Sequence, residues 1–329
     1  MTLAEPARPR RRAILVGVLL ATSSVALALL TSEAILRLAG FQFHLMPSVQ
    51  FGWPDPQTIK ANYTDDPDLF WVTKDYHQKL REARRSHPEI VFMGDSCTEF
   101  GRYPQRTLET LAESTGRQPS GIHLAAGGWT SEQGLTQLGR DVIGLRPHVI
   151  VVYYGWNDHW IALGPTDSRL SRAHRWLWLS EHSRLVQLAL KAWIGASVRG
   201  TERPVRVSPD EYLDNLRRIS RLARERGIVP VFVTAPSNHV PGHEPEYLLR
   251  RHVNRLSDVV PLHQRYIELT RTAARNTDAV LCDAADAFTR LPDRDRLFRA
   301  DGIHFTDAGD IALGRIVGAC VATALGRHT

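Results

Sequence analysis

Cysteine is scarce in this chain of 329 residues. The three cysteines lie far apart in the sequence: Cys97, Cys282 and Cys320. An odd number of widely spaced cysteines fits neither a disulfide framework nor a paired zinc-binding motif, so we expect three buried, unpaired thiols. The histidines His159, His239 and His243 match no metal-ligand spacing either. Neither a metal nor another cofactor is therefore expected.

Low-complexity segments and strong compositional bias are also absent. Hydrophobic residues make up 43% and charged residues 23% of the chain, values typical of a compact globular protein and not of a disordered or fibrous one. The formal net charge is +6, but four arginines within the first dozen residues account for most of it. Beyond that cluster the charges nearly balance and no basic groove is apparent, so nucleic acid is not an expected partner.

One long hydrophobic run is present, near the N-terminus. Residues Ala13 to Leu30 carry no charge over 18 positions and directly follow the basic segment RPRRR. A helix of this length nearly spans the hydrocarbon core of a bilayer, and its basic flank stays in the cytoplasm. Residues 1–12 are therefore predicted to be cytoplasmic, residues 13–36 to form a signal anchor, and the remainder to lie outside the cytoplasm. The small residues at positions 26 and 28 leave a cleaved signal peptide as the alternative.

Residues 37–74 show no clear periodicity and are rich in proline, aspartate and aromatic residues, which indicates a linker that packs down. After it, short apolar runs typical of buried parallel strands alternate with segments of helical period. The predicted strands are Ile90–Met93, Ile122–Ala125, Val149–Tyr154, Val229–Ala235 and Ala279–Cys282. The predicted helices are Gln105–Thr115, Ser131–Leu145, Pro209–Arg226, Val253–Asn276 and Asp307–Leu325. This alternation predicts an α/β domain in residues 75–329, with a five-stranded parallel sheet covered by helices on both faces.

Small and polar residues follow the first three predicted strands, where α/β proteins place their ligands. GDSCT follows the first strand, GGW the second and GWND the third, while DGIH precedes the last helix. In this arrangement Ser96 can act as a nucleophile, His304 can take its proton, and Asp301 can orient the imidazole. Gly128 and Asn157 can donate hydrogen bonds to the oxygen of a tetrahedral intermediate.

Over about residues 90–325, these four blocks resemble the SGNH hydrolases, also called GDSL-like lipases or acylhydrolases. The resemblance implies a flavodoxin-like three-layer α/β/α sandwich and a catalytic triad of Ser96, Asp301 and His304. It further implies an oxyanion hole formed by the backbone amides of Ser96 and Gly128 and the side-chain amide of Asn157.

Two residues depart from the second block of the family. His123 stands where Asn is frequent, and Ala125 stands where Gly is frequent.

Three tryptophans lie in the loops that carry these blocks: Trp129, Trp156 and Trp160. They could form a substrate wall against sugar rings or an acyl chain, or they could simply pack in the loops. An insertion at about residues 160–207 separates the third and fourth strands, and residues 175–194 within it are amphipathic. Packing on the core is the default for this segment, with a lid and a membrane-surface helix as alternatives.

The sequence thus predicts a membrane-anchored extracytoplasmic serine esterase that cleaves an O-acyl ester through an acyl-enzyme. An O-acetylated glycan of the cell envelope is the first choice of substrate, and lipid or small acyl esters remain open. One alternative is an O-acyltransferase that uses the same triad to acylate a glycan. The other is a catalytically silent binding or assembly module. The sequence gives no indication of the oligomeric state.

Overall fold

The computed structural model describes residues 8–43, 61–162, 164–172, 179–180, 182–197, 202–249 and 252–328. Parts of the predicted cytoplasmic segment, linker and insertion lie outside these ranges. The chain divides into two compact units. One unit is formed by residues 1–45 and 175–196, and the other by residues 46–174 and 197–329.

The helices, in chain order, are α1 (Arg8–Leu38), α2 (Tyr76–Ser86), α3 (Ser96–Glu99), α4 (Tyr103–Thr115), α5 (Ser131–Gln137), α6 (Asp167–Arg172), α7 (Arg184–Ser197), α8 (Pro209–Arg224), α9 (Val259–Thr277), α10 (Ala284–Thr289) and α11 (Asp307–His328). The strands are β1 (Tyr63–Asp66), β2 (Phe70–Thr73), β3 (Ile90–Gly94), β4 (Gly121–Ala125), β5 (Val149–Tyr153), β6 (Val229–Val233) and β7 (Val280–Cys282).

The larger unit is built on a five-stranded sheet with the order β4-β3-β5-β6-β7. All neighbouring strands in it are parallel. Every residue of β3 and of β5 is buried, because helices cover both faces of the sheet, and this explains the continuous apolar runs. Helix α4 packs against α11, and α8 packs against α5 and α9. The predicted α/β/α sandwich with flavodoxin-like strand order is confirmed.

Most helix predictions agree with the structure. Helix α8 begins with a capping box in which the Ser208 and Glu211 side chains bond each other's backbone amides, with Pro209 in the first turn. Several helix ends differ by one to three residues, and two predictions differ by more. Helix α9 starts at Val259 and not at Val253, and the predicted helix from Ser131 becomes a π turn and a 3₁₀ turn after Gln137.

An antiparallel hairpin lies within the segment predicted as a linker. Strands β1 and β2 pair over four residues each, and all four residues of β2 are buried. The sequence pattern did not reveal this hairpin, because both faces of β2 are covered and the alternation of polar and apolar residues is lost.

The prediction of three unpaired thiols is wrong for two of them. Cys282, at the end of β7, forms a disulfide with Cys320 of α11, with Cα atoms 5.6 Å apart. The pairing depends on the contact between the last strand and the last helix, which sequence spacing does not indicate. Cys97 is free and buried.

Two helices in the described part of the chain are long and apolar enough to span a membrane, α1 over Ala13–Leu38 and α11 over Asp307–Arg327. Helix α11 belongs to the core, since Leu313, Val317 and Val321 are fully buried. No part of the apolar window of α1 is buried. The predicted N-terminal apolar helix is therefore present.

Candidate active site

The candidate site lies at the carboxyl ends of the neighbouring strands β3 and β5. From β3 the chain adds β4 on one side of the sheet and then β5, β6 and β7 on the other side, so the topology switches between these two strands. Sheets of this type place their ligands at such a switch point. Ser96 directly follows β3 through Asp95, and Asn157 lies in the loop after β5. Both residues line a cavity of about 430 Å³ together with Asp301 and His304. The fold therefore brings together residues that are 208 positions apart in the chain.

Ser96 is the first residue of the short helix α3. The Asp95 side chain caps this helix by accepting a hydrogen bond from the Cys97 amide at 2.9 Å. The turn needs glycine at position 94, because a Cβ there would overlap the Thr98 side chain and lie 2.9 Å from the Tyr153 carbonyl oxygen. This tight turn leaves the Ser96 hydroxyl at the edge of the cavity.

A continuous chain of hydrogen bonds joins the three predicted triad residues. His304 Nε2 lies 2.9 Å from Ser96 Oγ, and His304 Nδ1 lies 2.7 Å from Asp301 Oδ2. Asp301 Oδ1 also accepts from the amides of Ile303 and His304, each at 2.9 Å. Burial raises the pKa of Asp301, but the His304 side chain and these amides outweigh burial and lower the pKa to about 2. The ionised Asp301 can therefore hold the Nδ1–H tautomer of His304 and leave Nε2 free to accept a proton.

Asn157 is oriented by Asp95. Asn157 Nδ2 donates one hydrogen to Asp95 Oδ2 at 3.0 Å, and its second hydrogen has no acceptor among the described residues, while Asn157 itself lines the cavity. Complete burial raises the pKa of Asp95 to about 6, against the lowering effect of its hydrogen bonds and of His304. At neutral pH Asp95 thus accepts hydrogen bonds as a carboxylate.

The two glycines after β4 have different hydrogen bonds. The Gly127 amide donates to Glu99 Oε2 at 2.5 Å, so it cannot serve an oxyanion. Within the described residues, the amides of Gly128 and Ser96 have no acceptor. Gly128 has φ +81°, a backbone conformation that favours glycine. A Cβ on Gly127 would lie 3.6 Å from Ser96 Cβ, so this loop passes beside the candidate nucleophile.

A buried ion pair between Arg206 and Asp167 contacts the Gly128 carbonyl. Arg206 Nη1 donates to the Gly128 oxygen at 2.7 Å, and Arg206 Nη2 lies 2.8 Å from Asp167 Oδ2. The side chains of Arg206 and Asp167 are only 1% and 0% exposed. Asp167 also accepts from Thr130 Oγ1 at 2.9 Å. The two ends of the insertion are thereby fixed to the glycine loop.

The β1–β2 hairpin contacts the same loop. The Trp71 indole N–H donates to the Gly127 carbonyl at 2.8 Å, and the Trp129 indole N–H donates to the Trp71 carbonyl at 2.8 Å. Tyr63 donates to Glu99, the carboxylate that binds the Gly127 amide, at 2.8 Å. The hairpin therefore supports the glycine loop from outside the predicted domain.

Two of the three predicted wall tryptophans line the cavity. Trp156 and Trp160 are among its lining residues. Trp129 does not line the cavity; it packs against the hairpin and against Tyr76, with ring centroids 5.9 Å apart. The His263 ring stacks on Trp156 with centroids 3.7 Å apart, and its Nε2–H donates to the Ala235 carbonyl at 2.8 Å. Burial lowers the pKa of His263 to about 3, so a neutral ring supports Trp156.

Sequence reasoning missed several cavity residues. Phe100, Leu248 and Ile303 add apolar surface, and Tyr247, His252 and Arg299 add polar groups. Tyr247, Leu248 and His252 belong to the segment after β6, which is also a strand-end segment but carries no small-residue motif. These three residues could have been found from the sequence because their segment follows the carboxyl end of a predicted strand, where ligands bind in such sheets.

Two neighbouring features have structural explanations. Cys97 adjoins the candidate nucleophile, but complete burial raises the pKa of its thiol well above the usual value, which argues against a thiolate nucleophile. His239 Nε2 donates to the Asp301 carbonyl at 2.8 Å and His159 pairs with His263 at 3.1 Å. In the described ranges no group of three or more potential ligands could hold a metal ion.

Asp158 ties the loop after β5 to the start of α5. It accepts from the Ser131 amide at 2.9 Å, from the Ser131 hydroxyl at 2.6 Å and from the Gly155 amide at 3.0 Å. Asp158 is fully buried, and burial raises its pKa to about 7. The loop that carries Asn157 thus depends on a carboxylate whose ionised form is disfavoured.

We expect Asp158→Asn to flatten the pH dependence of stability. The unfolded carboxyl loses its proton near pH 4, so between about pH 4 and 7 the folded state binds the proton more tightly. The contribution of Asp158 to the free energy of unfolding of the wild type therefore falls as pH rises through this window. The asparagine variant has no carboxyl group at this position and does not show this fall. The free energy of unfolding of wild type minus that of the variant should decrease by up to about 4 kcal/mol over this window. Urea unfolding of both proteins at pH 4 to 8 measures this difference.

The matched control for this experiment is Asp214→Asn on α8, whose side chain is 64% exposed. Its stability difference from wild type should stay nearly constant with pH. A constant difference for Asp158→Asn as well would contradict the raised pKa.

Comparison with known proteins identifies the family. The GDSL-like Lipase/Acylhydrolase family matches residues 92–310, which is more than half of the chain. Among proteins with curated descriptions, none matches.

Solved structures with similar folds include a lipase/acylhydrolase from Enterococcus faecalis, with 17% identity and a TM-score of 0.47 over 72% of this chain and 95% of that one. A GDSL-like lipase from Bacteroides thetaiotaomicron has 18% identity and a TM-score of 0.46 over 78% and 98% of the two chains. An acetylxylan esterase from Geobacillus stearothermophilus has 15% identity and a TM-score of 0.44 over 73% and 94%.

The family match covers the strand-end loops after β3, β4 and β5 and the segment before α11, where the four sequence blocks lie. The chain belongs to the GDSL-like lipase/acylhydrolase family of the SGNH hydrolase superfamily and is a hydrolase that acts on ester bonds.

Proposed function

We propose that Ser96, His304 and Asp301 cleave an O-acyl ester through an acyl-enzyme. Ser96 Oγ attacks the ester carbonyl carbon while His304 Nε2 takes the hydroxyl proton. His304 then gives this proton to the leaving alcohol oxygen, and a water molecule activated by His304 hydrolyses the acyl-enzyme to the free acid. The observation that carries the proposal is the hydrogen-bond chain Ser96–His304–Asp301, with distances of 2.9 and 2.7 Å.

The proposed oxyanion donors are the amides of Ser96 and Gly128 and the second Nδ2 hydrogen of Asn157. Their hydrogen-bonding state supports this role, since each has a hydrogen that no described group accepts. Donors already held in place stabilise the developing negative charge without reorganisation, and loss of one typically costs about 3 kcal/mol in the barrier.

The proposed substrate is an O-acetylated glycan of the cell envelope. The cavity wall supports a substrate with flat apolar faces, since the exposed Tyr247 ring lies in it beside the largely buried Trp156 and Trp160. Aromatic side chains with one polar edge suit sugar rings, whose faces are apolar and whose rims are rich in hydroxyls. A wall of this kind can also hold an acyl chain, so the substrate test must include longer esters.

The proposed location is the outer side of the cytoplasmic membrane, with α1 as a single-pass anchor and the catalytic domain at about residues 75–329. The exposed apolar surface of α1 supports its role as an anchor. The basic flank before Ala13 supports the orientation, with the N-terminus in the cytoplasm. The Cys282–Cys320 disulfide also supports it, since disulfides persist mainly in oxidising compartments.

Ester turnover with and without a glycan acceptor tests the proposed function. The full chain in detergent should hydrolyse p-nitrophenyl acetate faster than the butyrate and octanoate esters, and it should release acetate from an O-acetylated glycan. A fluorophosphonate probe should label the wild type, and prior acylation should block labelling.

Other outcomes would change the assignment. A preference for octanoate would replace the glycan with a lipid ester. Acetyl transfer to an unacetylated glycan in excess of acetate release would favour the O-acyltransferase. A folded chain with neither turnover nor labelling would favour a binding module.

A further inference from the structure

An acidic side chain near the end of α1 caps a second helix. Glu33 accepts hydrogen bonds from the amides of Arg184 and Leu185, each at 3.0 Å, and from the Ser183 hydroxyl at 3.0 Å. These two amides belong to the first turn of α7, where backbone N–H groups have no partner within the helix. A carboxylate at this position also matches the positive end of the helix dipole. Glu33 therefore fixes the start of α7 although 150 residues separate it from Ser183.

Further contacts join α7 and the residue His182 before it to the last turn of α1 and to the chain that follows α1. Arg37 donates to Glu33 Oε1 and to the His182 carbonyl, both at 2.7 Å. Gln187 Oε1 accepts from the Phe43 amide at 3.0 Å, and the Lys191 ammonium lies 5.6 Å from the centre of the Phe41 ring. The polar stripe of α7 is thus occupied by protein partners from residues 33–43.

The length of α1 places these contacts at the edge of a bilayer. The uncharged run from Ala13 to Leu30 has 18 residues. At about 1.5 Å per residue it covers roughly 27 Å of a hydrocarbon core about 30 Å thick. Glu33 follows Leu30 by only one helical turn. The N-terminus of α7, which is bonded to Glu33, would therefore lie at the level of the lipid headgroups.

The exposed face of α7 is mainly apolar. Leu188 is 41% exposed, and Ala189 and Ala192 are also exposed. The apolar side chains of α1 are exposed as well, with Leu30 at 69% and Ile35 at 59%. The two helices belong to one compact unit and are joined by the hydrogen bond from the Arg184 amide to Glu33.

We propose that α7 is a membrane-surface helix, held at the outer interface by Glu33, with Leu188, Ala189 and Ala192 facing the lipid. This proposal rests on the membrane location proposed above. A bilayer is favoured as the occupant of this face because Glu33, one turn beyond the uncharged run of α1, bonds the first turn of α7. Helices that lie in the interface have an apolar face toward the acyl chains and a polar face held by protein or water.

Depth-dependent quenching of a probe on α7 tests the proposal. The full-length Leu188→Cys variant is labelled with an environment-sensitive fluorophore and placed in phosphatidylethanolamine/phosphatidylglycerol nanodiscs with one chain per disc. The label is selective because Cys97 is only 1% exposed and the other two cysteines form a disulfide. Lipids with a nitroxide near the headgroup should quench this probe at least threefold more than a probe at Arg315→Cys, an exposed position on α11.

The variant Glu33→Ala separates the cap from the anchor. It retains α1, so the chain should stay in the membrane, but α7 loses the acceptor for its first amides and for Ser183. Quenching at Leu188→Cys should then fall toward the level of the Arg315→Cys control. Unchanged quenching would show that Glu33 does not hold α7 at the interface.

Other results overturn the proposal. Absence of quenching at Leu188→Cys by the headgroup nitroxide would show that α7 is not at the lipid surface. Disulfide cross-linking between Leu188→Cys chains in detergent, without quenching in single-chain discs, would assign the face to a second copy. Failure of the full chain to enter nanodiscs would overturn both the anchor and this helix, whereas ester turnover by the same sample reports on the catalytic proposal alone.

Discussion

Replacing Ser96 with alanine should lower kcat for p-nitrophenyl acetate by about 10⁴- to 10⁶-fold, as expected when the nucleophile of a triad is removed. His304 keeps its hydrogen bond to Asp301 but has no hydroxyl to deprotonate. Because the residues of a catalytic triad act as a unit, the proposed roles predict that the double variant Ser96→Ala/His304→Ala is no slower than Ser96→Ala alone. Steady-state hydrolysis, with the spontaneous rate subtracted, measures all three proteins.

The neighbouring residue supplies the control. Cys97→Ala should retain activity within about tenfold, because the Cys97 thiol is buried and its pKa is raised. If Ser96→Ala kept a tenth of wild-type turnover while Cys97→Ala lost it, Ser96 could not be the nucleophile.

Replacing Arg206 with methionine should destabilise the protein by about 3–5 kcal/mol, because Asp167 is then left buried without a cation. For a domain of this size the loss corresponds to a fall in Tm of about 10 °C. The Gly128 carbonyl also loses its donor, so kcat should fall more than KM rises at temperatures where the variant is folded. Thermal unfolding and ester hydrolysis at 15 °C give the two readouts.

A double-mutant cycle distinguishes the ion pair from general packing. Adding Asp167→Asn to Arg206→Met removes the uncompensated charge, so the double variant should be more stable than the sum of the single losses implies. The exposed pair Arg224–Asp278, with side chains 46% and 76% exposed, is the control, and Arg224→Met should change stability by less than about 1 kcal/mol. Equal losses for Arg206→Met and Arg224→Met would contradict the buried clamp.

The sheet and the hydrogen-bonded arrangement of Ser96, His304 and Asp301 could be predicted because they depend on local patterns that a parallel sheet brings to one edge. Continuous apolar runs marked β3 and β5, and the small residues after them marked the turns that carry Ser96 and Asn157. The Asp301–His304 contact follows from a spacing of three residues in one loop.

The remaining features depend on contacts between distant segments that have no local signature. The disulfide joins cysteines 38 positions apart, and the Arg206–Asp167 pair spans 39 positions across the insertion. Strand β2 is buried on both faces and begins with Phe70 at φ +68°, an unusual conformation that composition does not predict. The residues of α7 could be recognised as amphipathic, but their cap on Glu33 could not.

The hairpin that supports the glycine loop sets the N-terminal limit of any shortened enzyme. The family match begins at residue 92, and a chain cut there would keep Ser96, Asn157, Asp301 and His304. It would lose α2, the first two residues of β3, the Trp71 indole that binds the Gly127 carbonyl and the Tyr63 hydroxyl that binds Glu99. An expression product for enzymology must therefore start before Tyr63, and inactivity of one that starts at residue 92 would reflect a truncated sheet and an unsupported glycine loop and not the absence of Ser96, Asp301 or His304.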